Sequence, residues 1–239
     1  MIKRHHHYVW RKYLQAWSEN SLIWCYRNGK VFNPNIMGVG QAKDFYKLKK
    51  LTSHDINFIR SFTIGRHNNV LRETDEQWIM TFQEISEIRE VYEKNGVSNE
   101  IIDIEVDKLI HNFEENYHCI IESKSIKYIE MILNKNISFF ENDEGRADFS
   151  YYLCMQYIRT KKIEENIKSS FSSLEEKLGI NIENAWSAMR YIDASHMALS
   201  LFSDRKFKIF LLDNKTSIPF ITGDQPVLNT YAAKTFGSE

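Results

Sequence analysis

The chain has 239 residues, of which 43% are apolar, 13% aromatic and 26% charged, with a formal net charge of -1. These values describe an ordinary globular protein large enough for a sizeable core, and no run approaches the roughly 18 apolar residues of a membrane span. Cys25, Cys119 and Cys154 are odd in number, far apart and without metal-like spacing, so a reducing cytoplasm is the expected compartment.

In chain order, His5, His6 and His7 run straight into Tyr8, Val9 and Trp10 without a linker, and are read as native rather than as a purification remnant. The N-terminus is positively charged but lacks the apolar stretch of a secretory signal, because Arg11, Lys12 and Gln15 interrupt it. Tyr8, Tyr13, Leu14 and Trp17 lie near a helical period. In SLIWCYRNGKVF, Leu22–Tyr26 and Lys30–Phe32 flank Asn28–Gly29, the preferred pair for a type I′ hairpin turn. Residues 33–50 read mostly as loop. Ser53 is a cap candidate for the first of the longer helices.

Trp78, Phe82, Ile85, Ile88 and Tyr92 then mark an amphipathic helix that ends at Asn95–Gly96. Residues 101–135 repeat the pattern, with Val106, Leu109, Ile110, Phe113, Tyr117, Ile120 and Ile121 on one stripe. A third helical region is closed by Gly179, and NIENAWSAMRYIDASHMALSLF forms a fourth. FKIFLLD and KTSIPFITGDQPV read as strands, the second bounded by Pro219 and Pro226. With only 9 Gly and 3 Pro in the whole chain, helices should dominate.

The expected fold is α+β, a mainly helical single domain spanning residues 1–239. It divides into a basic hairpin and loop region (1–50), a helical core (51–204) and C-terminal strands (205–230). Two isolated hairpins would each be marginal, so the N-terminal hairpin and C-terminal strands are expected to share one small antiparallel sheet, with residues 6–8 near residues 222–226.

Charge is distributed unevenly: +8 over residues 1–50, -10 over residues 51–150 and +1 over the rest. A basic region that also carries Tyr8, Trp10, Tyr13, Trp17, Trp24 and Tyr26 is compatible with nucleic acid, phosphates on its cations and bases on its rings. The alternative is that it docks on the acidic middle of the same chain.

Four stretches carry a family resemblance: HHYVWRKYLQAWS, AKDFYKL, CMQYIRTKKIEENI and PFITGDQPV. In that order they resemble the Domain of Unknown Function 4238 family, whose opening reads HHYVP-x-x-YL and whose later motif is close to FITSDNPV. The outer two lie about 210 residues apart. Trp10 stands where the family usually has proline, and Gly223 and Gln225 replace its usual Ser and Asn. Members normally continue through a further strand beyond the point where this chain ends, so a truncated member is expected. The resemblance implies an architecture and a set of positions but no settled reaction, with a loose association with prokaryotic genome defence.

Within those motifs, His6, His7 and Asp224 are the candidate catalytic residues. A histidine and a carboxylate can hold a divalent cation such as Mg²⁺ or Mn²⁺, with His7 and Asp224 as the candidate ligands, or work as a base oriented by an acid. Neighbouring histidines diverge on either kind of element, so one of the two is expected to be structural. Tyr8, Arg11, Gln156, Arg159, Thr222 and Gln225 are the candidate substrate-binding residues. Arg159 can grip a phosphate with its planar fork or form an ion pair with a carboxylate.

Thr222-x-Asp224-x-Pro226 is equally a natural turn, which would make both motifs a clasp of the fold. Glu115-x-x-His118 and Asp193-x-x-His196 have the spacing of di-iron ligands but only as a weak match. There is no G-x-S-x-G elbow, and Gly38-x-Gly40 lacks the context of a dinucleotide site. Two functions stay open: a metal- or histidine-dependent phosphodiesterase or nuclease in genome defence, and a non-catalytic binding or interaction module.

Overall fold

The computed structural model describes residues 1–66, 69–97 and 99–230. Its elements run β1 (His5–His7), α1 (Arg11–Leu14), β2 (Ser18–Glu19), β3 (Leu22–Ile23), β4 (Cys25–Arg27), β5 (Lys30–Phe32) and β6 (Gln41–Lys43). The helices α2 (Ser53–Phe62), α3 (Arg72–Lys94), α4 (Glu100–Leu133), α5 (Asp143–Ile158), α6 (Lys161–Leu178) and α7 (Ile182–Ser203) follow. The fold is α+β and mainly helical, 63% of it helix, with small antiparallel two-stranded sheets.

Local chemistry explains most helix ends. Thr52, one residue before the expected cap, starts α2 with a capping box: its hydroxyl accepts from Asp55 N, and the Asp55 carboxylate accepts from Thr52 N. Asn99, Asn142 and Asn181 cap α4, α5 and α7 with their side-chain oxygens. At Gly179 α6 ends in the left-handed region (φ 63°), which glycine adopts without steric cost. The third helical region is in fact two helices. Thr160 is extended (φ -72°, ψ 150°) between α5 and α6, turning the chain at the Gln-x-x-Arg-Thr motif.

The main core lies between α5 and α7, where Trp186, Met155, Met189, Tyr191 and Ile192 are almost completely buried. Along α4 the buried seam differs from the apolar stripe expected. Val106, His111, Glu114, His118, Ile121, Ser125 and Tyr128 face inward, at alternating three- and four-residue steps from His111 onward, while Ile120 is exposed. Periodicity read from apolar residues alone selected the neighbouring face, because the true seam carries two histidines and a glutamate.

A joint N- and C-terminal sheet does not form. His5–His7 instead pairs antiparallel with Gln41–Lys43, His6 opposite Ala42, in a segment read as loop. No strand is present in residues 205–230. The two ends do meet, through side chains: Tyr13 Oη lies 2.8 Å from Thr222 Oγ1, and Trp17 Nε1 donates to Phe220 O at 3.0 Å. The Asn28–Gly29 hairpin is as expected, with Arg27 opposite Lys30. Leu22 and Ile23 belong to a second ribbon, paired with Ser18 and Glu19. Gly40 (φ 63°) accepts from both Tyr8 N and Val9 N, and a Cβ there would meet Val9 Cβ at 2.8 Å. The second glycine of the isolated G-x-G therefore serves close packing against Val9, just after β1.

Candidate functional site

The strand alternation of β1 separates the histidines. His6 points inward and is completely buried. Its Nδ1 accepts from Tyr46 N at 2.7 Å, which leaves Nε2–H to donate to Lys3 O at 2.9 Å. Its ring stacks on Tyr46, with centroids 5.6 Å apart. Burial lowers its pKa and holds it neutral. Both ring nitrogens are engaged, so His6 occupies the position of a clasp between β1 and the Asp-Phe-Tyr segment.

His7 lies on the opposite side of the strand. Its Nδ1 is 3.8 Å from Glu115 Oε1 on α4, and its buried Nε2 has no hydrogen-bond partner. Behind this pair, Arg159 sits at the α5–α6 turn, 1% exposed, and donates from Nη2 to Glu122 Oε1 and to Gln156 Oε1 (3.1 Å). Burial raises the pKa of Glu122, opposed by Arg159; Glu115 and His7 also lie within its electrostatic neighbourhood. Arg159 Nε, Gln156 Nε2 and Glu115 Oε2 are further buried polar atoms without a partner. Buried polar atoms are nearly always paired, so four orphans in one neighbourhood mark a polar site rather than a passive core.

Tyr46 is the hub of this region. It is completely buried, with His6 on one side, His118 at 4.7 Å between centroids, and the Arg190 guanidinium 5.2 Å from its ring centre. Burial pushes its hydroxyl far up, with Arg159 and Arg190 opposing. Beyond it, Glu114 is buried against Arg190 (Oε2 to Nε 3.4 Å) and accepts from Tyr191 Oη at 3.0 Å. Desolvation nevertheless raises its carboxyl to about 7.

Asp224 is placed elsewhere. It is exposed and acts electrostatically on Tyr8, whose hydroxyl is raised by burial first, with Asp224 adding and Arg27 opposing. Thr222 is tied to Tyr13, and no hydrogen bond is formed by the half-buried Gln225 side chain among the described residues. Arg11 turns away, its Nη1 directed at Met37 Sδ.

His7, Gln156 and Arg159 are thus brought together. Tyr8, Thr222 and Asp224 gather at a neighbouring edge, and His6 and Arg11 have other partners. Glu115 and Glu122 complete the site and were not expected in it. Their spacing of seven puts them on one side of α4, whereas the sequence marks Glu115 only as half of a weak di-iron match. Among the described residues no group of three or more His, Cys, Asp or Glu side chains is arranged to hold a metal ion. His196 faces Asp75 at 2.8 Å, apart from the Glu115–His118 pair in its contacts.

Three of the four motifs therefore converge around Tyr46, and the fourth closes over Tyr8 and Tyr13. No match is found among curated proteins or among solved structures. A family model described as a protein of unknown function matches residues 5–236. That span takes in every motif just described, and the chain belongs to the Domain of Unknown Function 4238 family.

Proposed function

We propose that the protein is a histidine-dependent phosphodiesterase, with His7 as general base, Glu115 orienting it and Arg159 holding the phosphoryl group. The observation that carries this reading is the His7–Glu115 pair. A carboxylate stands at Nδ1 while Nε2 is left without a partner, beside an arginine that also has an unused donor. A base oriented by an acid needs a carboxylate on the side of one nitrogen and the other nitrogen unpaired. A closing of the 3.8 Å gap to a hydrogen bond would fix the ring.

In the reaction, Nε2 takes a proton from the attacking water as its oxygen bonds to phosphorus. The bond from phosphorus to the leaving oxygen breaks, and that oxygen is protonated by solvent. Arg159, already fixed by Glu122 and Gln156, loses little freedom when it meets the phosphate. Cleavage of nucleic acid in the cytoplasm, as part of genome defence, is the setting that fits this chemistry.

A second reading, a non-catalytic binding module, is favoured by His6 and by the Arg159–Glu122 ion pair, both of which lock the fold.

The test incubates the purified full chain with single-stranded RNA and DNA, with Mg²⁺, with Mn²⁺ and with chelator. Cleavage is expected to fall about 10²–10⁴-fold in His7→Ala and less in Glu115→Gln, with both variants folded by circular dichroism. Cleavage untouched by either change removes this site. No cleavage of any substrate under any condition moves the assignment to the module.

A further inference from the structure

The β4–β5 ribbon raises a separate question. In its register Tyr26 opposes Val31 and Arg27 opposes Lys30. Alternation places Tyr26, Val31 and Trp24 on one face, with Cys25, Arg27, Lys30 and Phe32 on the other. Trp24 is 72% exposed, Tyr26 76% and Val31 67%. Neither Trp24 nor Tyr26 contacts another ring among the described residues, although rings elsewhere in the chain pack against one another. Beyond the cross-strand pairing of Tyr26 with Val31, both aromatics leave most of their surface to water.

The charges separate in the same way. Arg4, Lys12, Lys49 and Lys50 pair with Asp44, Glu130, Glu183 and Glu90. Lys3 bonds Asn112 and Asn116. Much of the basic N-terminal region is therefore spent within the chain. Arg27 and Lys30 have no carboxylate within ion-pair distance among the described residues; Arg27 packs over Phe32 at 5.4 Å. Arg27 also lies within electrostatic reach of the Tyr8 hydroxyl, next in sequence to His7. The ribbon thus adjoins the edge of the candidate site.

We propose that this ribbon is a docking platform for single-stranded nucleic acid. Bases stack on Trp24 and Tyr26, Arg27 and Lys30 neutralise phosphates, and the strand continues past Tyr8 toward His7. Arg27 and Lys30 belong to the other face but bracket the turn at the ribbon's tip, where long side chains reach round the edge. Rings and cations together therefore fit a ligand with flat rings and one negative charge per unit. An apolar protein partner would cover the rings but make no use of either cation. The inference rests on the phosphodiesterase reading for its choice of ligand and deepens it by naming the substrate, but binding can be measured without cleavage.

The test is fluorescence anisotropy of labelled single-stranded RNA and DNA oligonucleotides on the full chain, with duplex DNA and anionic phosphatidylserine vesicles as the other arms. Single strands of either kind are expected to bind in preference to duplex and vesicles. Trp24→Ala and Tyr26→Ala should each weaken binding about tenfold. Arg27→Gln or Lys30→Gln should each reduce the slope of log affinity against log salt by about 0.7. All four positions are exposed, and circular dichroism checks that the variants fold. The unaltered chain separates the two readings: single-strand binding accompanied by cleavage supports both, and single-strand binding without any cleavage supports the platform alone. Binding indifferent to Trp24→Ala and Tyr26→Ala, no binding of single strands, or preference for the vesicles overturns the proposal.

Discussion

His6 and His7 are adjacent in sequence, yet the strand that carries them stacks one on Tyr46 and turns the other, half-buried, toward Glu115. Replacing His6 by Ala removes two buried hydrogen bonds and a stacked ring, and orphans Tyr46 N. The expected cost is about 2–4 kcal/mol, read as a drop in the urea midpoint. That one of the pair would be structural follows from strand alternation alone. Which one it would be depended on Tyr46, 40 residues away, and no local rule pairs those positions.

Glu114 makes a second expectation at this scale. Burial raises its carboxyl to about 7, above the ordinary value of 4.5. Between those pH values the unfolded chain releases the proton and the folded chain keeps it, so this group's contribution to stability declines as pH rises through the window. Glu114→Gln should therefore gain stability relative to the unaltered protein as pH rises from about 4.5 to about 7, by an amount on the order of 3 kcal/mol. The difference between the two denaturation curves isolates Glu114. His6 and His118, held neutral by burial, contribute slopes of opposite sign to both proteins.

At the scale of elements, the C-terminus of α7 is closed by a side chain from another helix. Arg146 on α5 donates from Nε to Phe202 O (3.0 Å) and from Nη2 to the carbonyls of Leu201, Asp204 and Phe207. A cation there satisfies the free carbonyls of the helix end and complements its dipole. Arg146→Met keeps the stem but takes the donor away from those part-buried carbonyls. A loss of about 2–3 kcal/mol is expected, seen as a lower thermal midpoint with α7's last turn exchanging its amides faster. Helix α4 illustrates the same dependence on neighbours. Its start is set locally by the Asn99 cap, but its inward face is not, since Glu114 and His118 are buried where Tyr46, Arg190 and Tyr191 meet them.

Across the whole molecule, the two ends are joined by side chains rather than by a shared sheet. Residues 207–228 leave Phe210, Ile218, Ile221 and Leu228 exposed. Tyr13 and Trp17 anchor the middle of this segment at Thr222 and Phe220. The double substitution Tyr13→Phe, Trp17→Phe removes those bonds while keeping the rings. Limited proteolysis should then cut within residues 207–226 several-fold faster, because local opening sets the rate when closing is fast. Unchanged cutting would show that apolar packing of Phe207 and Ile209 holds the segment without them.

Much was decided along the chain itself. Caps, the Asn28–Gly29 turn, the Gly179 stop and the apolar periodicities produce a mainly helical protein, because each rests on groups within one or two turns of one another. His7 and the Gln156–Arg159 pair, which belong to separate motifs of the sequence, lie in one neighbourhood of the structure. Tertiary structure alone decided what completes that site. Glu115 and Glu122 become partners of His7 and Arg159 only when α4 packs beside β1 and α5. It also decided that β6, rather than the C-terminal segment, would pair with β1. Strand pairing and buried ion pairs are settled by which distant surfaces remain available after the helices pack, and a local pattern holds no record of that competition.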